Sequence, residues 1–222
     1  MKGVISKRYG EKQVFSNLEI EIETGDVVCV LGVSGAGKTT LLHILAGLTA
    51  FEGELLEVPN KVGFVFQEPR LLPNLTALEN LVYAGCEKSK AERVLEKVGL
   101  LAHKNKRPKS LSGGEKQRVA AARAFACGAE LLLLDEPFSS LDTALKIRLW
   151  EAFARLWEES KPTAVLVTHD IEEAWALGRR IVVLDKGKIV YDIRPKRMVY
   201  PAPYGEKTEE KEKLLQVLLG LA

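Results

Sequence analysis

The chain has 222 residues, and its 32 lysines and arginines nearly balance 30 aspartates and glutamates, leaving a formal charge of +2. Acids and bases are interspersed rather than blocked, which argues against nucleic acid as a partner, and 46% apolar residues suffice for a real core. No apolar run approaches the ~20 residues needed to span a bilayer, Met1-Lys2-Gly3 leads straight into strand-like sequence rather than a leader, and of the three cysteines Cys29 and Cys127 read as reduced structural thiols while Cys86 is left open.

Residues 1–24 predict two strands, because Leu18, Ile20 and Ile22 alternate with acids to give one buried and one wet face. Val27-Val28-Cys29-Val30-Leu31 is a β-branched apolar run, as expected of a strand buried in a parallel sheet. Gly32-Val33-Ser34-Gly35-Ala36-Gly37-Lys38-Thr39 follows, and the stretch from Thr39 and Thr40 to Ala46 has helical spacing that closes at Gly47. Strand, glycine-rich turn and helix in succession make a phosphate-binding loop. Its consecutive backbone N–H groups and the positive end of the helix dipole would face the phosphates. Gly32, Gly35 and Gly37 permit that close approach. Lys38 would reach the β- and γ-phosphates and the Thr39 hydroxyl would ligate Mg²⁺, so a nucleoside triphosphate and Mg²⁺ are the expected cofactors.

From Thr76 to Cys127 the sequence is helix-rich: Thr76-Ala77-Leu78-Glu79 fits a capping box, and Gly99 closes a further helix. Within this stretch, Leu111-Ser112-Gly113-Gly114-Glu115 sets an N-cap serine and two glycines before a helical run to Ala126, a second anion-seeking turn. It is of little use to a nucleotide bound by its own chain. Leu131 to Leu134 is a buried strand ending in Asp135 and Glu136. Neighbours in a strand point to opposite faces, so the two carboxylates divide the work. Asp135 would hold Mg²⁺, and Glu136 would orient the attacking water as general base. Thr143 to Glu159 is an amphipathic helix with Trp150 and Trp157 two turns apart on its core face. His169 follows a β-branched strand, Thr163 to Val167, at the end where sites of open α/β sheets collect. The charged run from Glu206 to Lys213 and the leucines after it are expected to fold back on their own domain.

Taken together, these motifs resemble the ATP-binding cassette family, the nucleotide-binding subunits of ABC transporters, over nearly the whole chain. Leu111 to Arg118 resembles the family signature, with Glu115 where the consensus often has Gln. Gln67 resembles the Q-loop glutamine, His169 the switch histidine, and Ser139-Ser140-Leu141-Asp142 the D-loop. Tyr9 stands where the family usually places an aromatic that stacks on adenine, and the segment from Glu54 to Lys61, shorter than most relatives have there, suggests a trimmed hairpin. The resemblance implies an α/β fold: a P-loop NTPase (RecA-like) core with an N-terminal antiparallel β subdomain and an inserted α-helical subdomain. The chain would be one domain, with residues 1–68 and 129–200 as core, 69–128 as the helical insert and 201–222 as a helical tail.

The resemblance also implies ATP as the nucleotide, bound between two copies. The first copy would use Ser34, Gly35, Ala36, Gly37, Lys38, Thr39 and Thr40. The second would contribute Ser112, Gly113, Gly114, Glu115 and Asp142. Gln67 would touch both Mg²⁺ and the attacking water, and His169 the γ-phosphate. Further implied partners are transmembrane permease subunits, met by residues from Glu68 to about Val82, and a solute-binding protein. The place of action would be the cytoplasmic face of the cell membrane. Arg107-Pro108-Lys109-Ser110 and Pro137-Phe138-Ser139 resemble uptake cassettes of the nitrate, sulfonate and taurine kind. Leu72 to Asn80 is also similar to cassettes that drive lipoprotein release. A soluble P-loop kinase would leave the Ser112-Gly113-Gly114 turn unemployed.

Overall fold

A computed structural model describes residues 1–139, 141–197 and 199–221. Ser140 of the D-loop lies outside the described residues, as do Met198 and Ala222. The strands are β1 (Lys2–Tyr9), β2 (Lys12–Glu21), β3 (Val27–Leu31), β4 (Glu52–Leu56), β5 (Val62–Val65), β6 (Leu131–Asp135), β7 (Thr163–Val167), β8 (Arg180–Asp185) and β9 (Lys188–Ile193). The helices are α1 (Lys38–Leu45), α2 (Ala77–Tyr83), α3 (Lys88–Lys97), α4 (Gly113–Ala126), α5 (Thr143–Ser160), α6 (Ile171–Leu177) and α7 (Glu209–Leu219).

Two sheets form. One is antiparallel, in the order β2-β1-β4. The other runs β5-β6-β7-β3-β8-β9 and is parallel except at β9. β3, β6 and β7 are buried at every residue, as their continuous apolar sequences require of strands covered on both faces. Alternation divides the core. Val27, Cys29 and Leu31 pack with residues of α2 to α6, whereas Val28 and Val30 pack with α1 and the antiparallel sheet. Trp150 and Trp157 are 2% and 1% exposed in the first of these clusters, so both belong to the core stripe of α5.

The expected hairpin from Glu54 to Lys61 does not form. β4 pairs with β1 and β5 pairs with β6, so the segment crosses from one sheet to the other. β4 takes the free edge of β1 in the antiparallel sheet, and β5 takes the edge of the fully buried β6. The tail does fold back. Leu214 of α7 is fully buried in the core, the Lys211 ammonium meets Glu172 at 2.6 Å, and Trp175 Nε1 donates to Glu206 at 2.7 Å. No helix among the described residues is long and apolar enough to cross a membrane.

Candidate nucleotide site

β5, β6, β7 and β3 are consecutive neighbours in the parallel sheet, so the residues just past their C-terminal ends share one edge. This register brings Gln67, Glu136, His169 and the loop from Gly32 to Lys38 to one place. They surround a cleft of about 560 Å³, lined by Tyr9, Ser34, Gly35, Gly37, Lys38, Thr39, Thr40, Gln67, Glu136 and His169.

The loop is built by close packing. A Cβ on Gly32 would stand 2.2 Å from the Leu184 carbonyl oxygen, and one on Gly37, whose φ is +102°, would strike the Phe15 ring at 2.8 Å. Neither position tolerates a side chain. Lys38 opens α1 and curls over the loop, its Nζ donating to the carbonyl oxygens of Gly32 at 2.7 Å and Val33 at 3.0 Å. Burial pushes its ammonium pKa down, while Glu136 and Asp135 pull the other way. Gly32 and Ala36 shape the loop from behind without lining the cleft.

Asp135 ends β6 and is 5% exposed. Burial pushes its carboxyl pKa up against a lowering hydrogen bond from the Thr39 side chain. Glu136 is no longer in the strand. Its φ is +45°, held by its N–H donating to the Val167 carbonyl at 2.9 Å and by Ser139 Oγ donating to its carbonyl oxygen at 3.0 Å. The two acids therefore diverge through a left-handed turn, not through the pleat alternation expected from sequence. Such a conformation in a non-glycine residue costs on the order of 1–3 kcal/mol and collects at functional sites. Gln67 Nε2 donates to Glu136 Oε2 at 3.4 Å, and His169 Nδ1 lies 3.2 Å from Glu136 Oε1. Glu136 thus stands between the amide and the imidazole. Tyr9, about half exposed, lies at the rim with Lys7 Nζ 4.5 Å from its ring centroid.

The other anion-seeking turn is elsewhere. Ser112, Gly113, Gly114, Glu115 and Asp142 do not line the cleft. Ser112 caps α4 with a reciprocal box, Glu115 N–H donating to Ser112 Oγ at 3.2 Å and Ser112 N–H donating to Glu115 Oε2 at 2.7 Å. That bond holds the Glu115 carboxyl below its usual range. Glutamate and glutamine serve equally in this box, which accounts for Glu115 at a position where glutamine is common. The N–H groups of Gly113 and Gly114 meet no acceptor among the described residues and remain open at the positive end of α4. Asp142 caps α5, accepting from Leu145 N–H at 3.0 Å.

Sequence reasoning missed Lys12 and Val14, which also line the cleft. Strand alternation puts the two on one face, but nothing local says that the face meets the loop. It also missed the braces of the His169 turn. Lys146 of α5 pairs with Asp170 at 2.8 Å, Asp170 N–H donates to Thr168 Oγ1 at 3.0 Å, and Glu173 is buried beneath.

Comparison with known proteins agrees with this geometry. The ABC transporter family profile matches residues 15–139. An aliphatic sulfonates import ATP-binding protein of Pseudomonas syringae pv. tomato is 44% identical over 193 residues, 86% of this chain and 72% of that protein. A Burkholderia pseudomallei protein of the same description is 43% identical over 198 residues, 86% of this chain and 61% of its own length. Among solved structures, the dimeric bacterial ABC transporter cassette MJ0796 superposes with a TM-score of 0.76 at 31% identity, covering 89% of this chain and 99% of that one. A post-hydrolysis state of MJ0796 bound to ADP and Pi superposes with a TM-score of 0.75 at 32% identity. The chain belongs to the ABC transporter family, as its ATP-binding and ATP-hydrolysing cassette.

Proposed function

We propose that this cassette powers solute uptake through separate membrane subunits, by closing two copies around ATP and reopening after hydrolysis. The observation that carries the reading is the division of the site. One cleft gathers the phosphate loop, Gln67, Glu136 and His169, while the open N–H groups of the Ser112-Gly113-Gly114 turn lie outside it. A second copy supplies that turn, with Asp142 beside it, to the exposed side of the triphosphate.

On binding ATP, Lys38 exchanges the Gly32 and Val33 carbonyls for β- and γ-phosphate oxygens, and Ser34 to Thr40 cradle the phosphates with backbone N–H groups. Tyr9 stacks on adenine. Glu136 takes a hydrogen bond from the attacking water and aligns it with the γ-phosphorus, acting as general base. Gln67 positions the same water, and His169 donates to the γ-phosphate. The donor set suits Mg²⁺. Thr39 offers its hydroxyl oxygen, Asp135 its carboxylate and Gln67 its amide oxygen, all hard donors, and the burial of Asp135 leaves a carboxylate that a cation would stabilise. Thr39, Asp135 and Gln67 would hold the ion, with phosphate oxygens and water as the remaining donors such an ion accepts. When bound, Mg²⁺ neutralises phosphate charge.

The chain acts as one domain with a helical insert from 69 to 128 and a tail from 201 to 222, on the cytoplasmic face of the membrane. Residues from Glu68 to Val82 meet the permease, a role that the exposed Val82 and Tyr83 at the end of α2 support. A solute-binding protein would complete the system. The relatives named above point to organic sulfonates as the solute. Reconstitution with the membrane subunits in proteoliposomes tests this: ATP-dependent uptake of a labelled alkanesulfonate supports the proposal, and outward movement of a lipid-modified protein instead contradicts it.

A further inference from the structure

At the opposite end of the mixed sheet, a second cleft of about 500 Å³ opens between the turn before β3, the start of β8 and the segment leaving β9. β8 runs parallel to β3 and β9 antiparallel to β8, so Asp26, Arg179 and Arg194 arrive at one end. The five residues of β3 separate this cleft from the phosphate loop, about 17 Å at the rise of a strand.

Three guanidinium groups line it, Arg179, Arg194 and Arg197, against the carboxylates of Glu23 and Asp26. Arg194 engages both acids, donating from Nη1 to Asp26 Oδ2 at 2.8 Å and from Nη2 to Glu23 Oε1 at 2.7 Å. Asp26 Oδ1 accepts from Val27 N–H at 2.9 Å. Arg179 Nε lies 3.9 Å from the same oxygen, beyond hydrogen-bond reach. Arg197 pairs with no carboxylate among the described residues. Its Nη1 donates to the Ala176 carbonyl at 2.9 Å and its Nη2 to the Gly178 carbonyl, while its Nε is buried with no acceptor among the described residues. Native structures rarely leave such a donor unmet. Arg197, with no carboxylate partner among the described residues, and Arg179, held to Asp26 only by the long 3.9 Å contact, therefore face one open cleft.

We infer that this cleft binds a free tetrahedral oxyanion of sulfate or phosphate size, gripped by Arg179 and Arg197 and separate from the nucleotide. Planar guanidinium forks match such oxygens in pairs, and the Arg194 bridges keep the two acids from repelling the anion. The site goes beyond the transport reading and does not depend on it.

Because the phosphate loop also takes oxyanions, the test begins with protein saturated by ADP. Titration calorimetry then follows sodium sulfate and sodium phosphate, and cosedimentation with phosphatidylglycerol vesicles follows the same chemistry offered as a lipid head group. The expected result is saturable binding of a free anion that weakens about tenfold or more in Arg179→Gln, with ADP affinity unchanged. Trp157 and Trp175, whose rings lie 5.2 and 5.8 Å from Arg179 and Arg197, should report it by fluorescence. Absence of free-anion binding, capture by vesicles alone, or equal binding by wild type and Arg179→Gln overturns the inference. Arg179 is half exposed, so this variant should fold even if Arg197→Gln, which loses two carbonyl contacts, does not.

Discussion

Gln117 donates its side-chain amide to the carbonyl oxygen of Phe66 at 3.3 Å. Gln117 is 3% exposed on α4, the helix that begins at Ser112, and Phe66 immediately precedes Gln67. The turn proposed to cap a partner's ATP is therefore tied to the backbone that aims Gln67 into the chain's own cleft. Gln117→Leu keeps the volume but leaves the Phe66 carbonyl without this donor. The variant should lose about 1–3 kcal/mol in urea unfolding and hydrolyse ATP more slowly than wild type. An unchanged midpoint with unchanged turnover would show that the bond does no such coupling.

Lys38 carries its ammonium into a buried pocket and there donates to two loop carbonyls. Phosphate oxygens are stronger acceptors for the same group. With charge-assisted bonds worth about 1.5–3 kcal/mol each, Lys38→Ala should weaken ATP binding by roughly 10²-fold or more. Equilibrium titration with a fluorescent ATP analogue measures it, and wild-type affinity in the variant would remove Lys38 from the site.

Glu173 makes stability depend on pH. Burial first, then the charge of Asp170, raises its carboxyl pKa from 4.5 to about 8, against lowering by Lys146 and Thr168, with Glu136 adding a further upward push. The folded state binds this proton more tightly than the unfolded chain. Its contribution is therefore complete below about pH 4.5, fades as pH rises and is gone above about pH 8. The loss is on the order of 4–5 kcal/mol at 1.36 kcal/mol per pH unit. Glu173→Gln, uncharged throughout, should flatten the pH dependence of the urea midpoint in that window. A profile as steep as that of wild type would assign the slope to other groups.

Leu214 anchors α7 in the core although the tail's charged run reads as surface. Leu214→Ala should cost about 2–5 kcal/mol in unfolding free energy. ATP affinity should not change, because no residue of α7 lines the cleft. Loss of nucleotide binding in a folded variant would mean that the tail supports the site directly.

The parts of the site that were legible in sequence are those whose geometry is local. Val27 to Leu45 is strand, loop and helix in unbroken succession, and the Thr76–Glu79 and Ser112–Glu115 boxes close within four residues. What sequence could not show depends on distant partners. The left-handed turn at Glu136 is held by a carbonyl of β7, and β4 leaves its sequence neighbour for β1 because that edge is free. Lys12 and Val14 join the cleft only because β2 packs beside the loop. The Lys146–Asp170 pair crosses 24 residues, and its two members carry no pattern that announces a partner.

The most direct measurement is the mass of the Glu136→Gln variant in ATP by light scattering after size exclusion, alone and with Ser112→Arg added to the same chain. The account predicts a dimer in ATP for the first and a monomer that still binds ATP for the second. A particle that stays monomeric at saturating ATP, or a dimer untouched by Ser112→Arg, would contradict it.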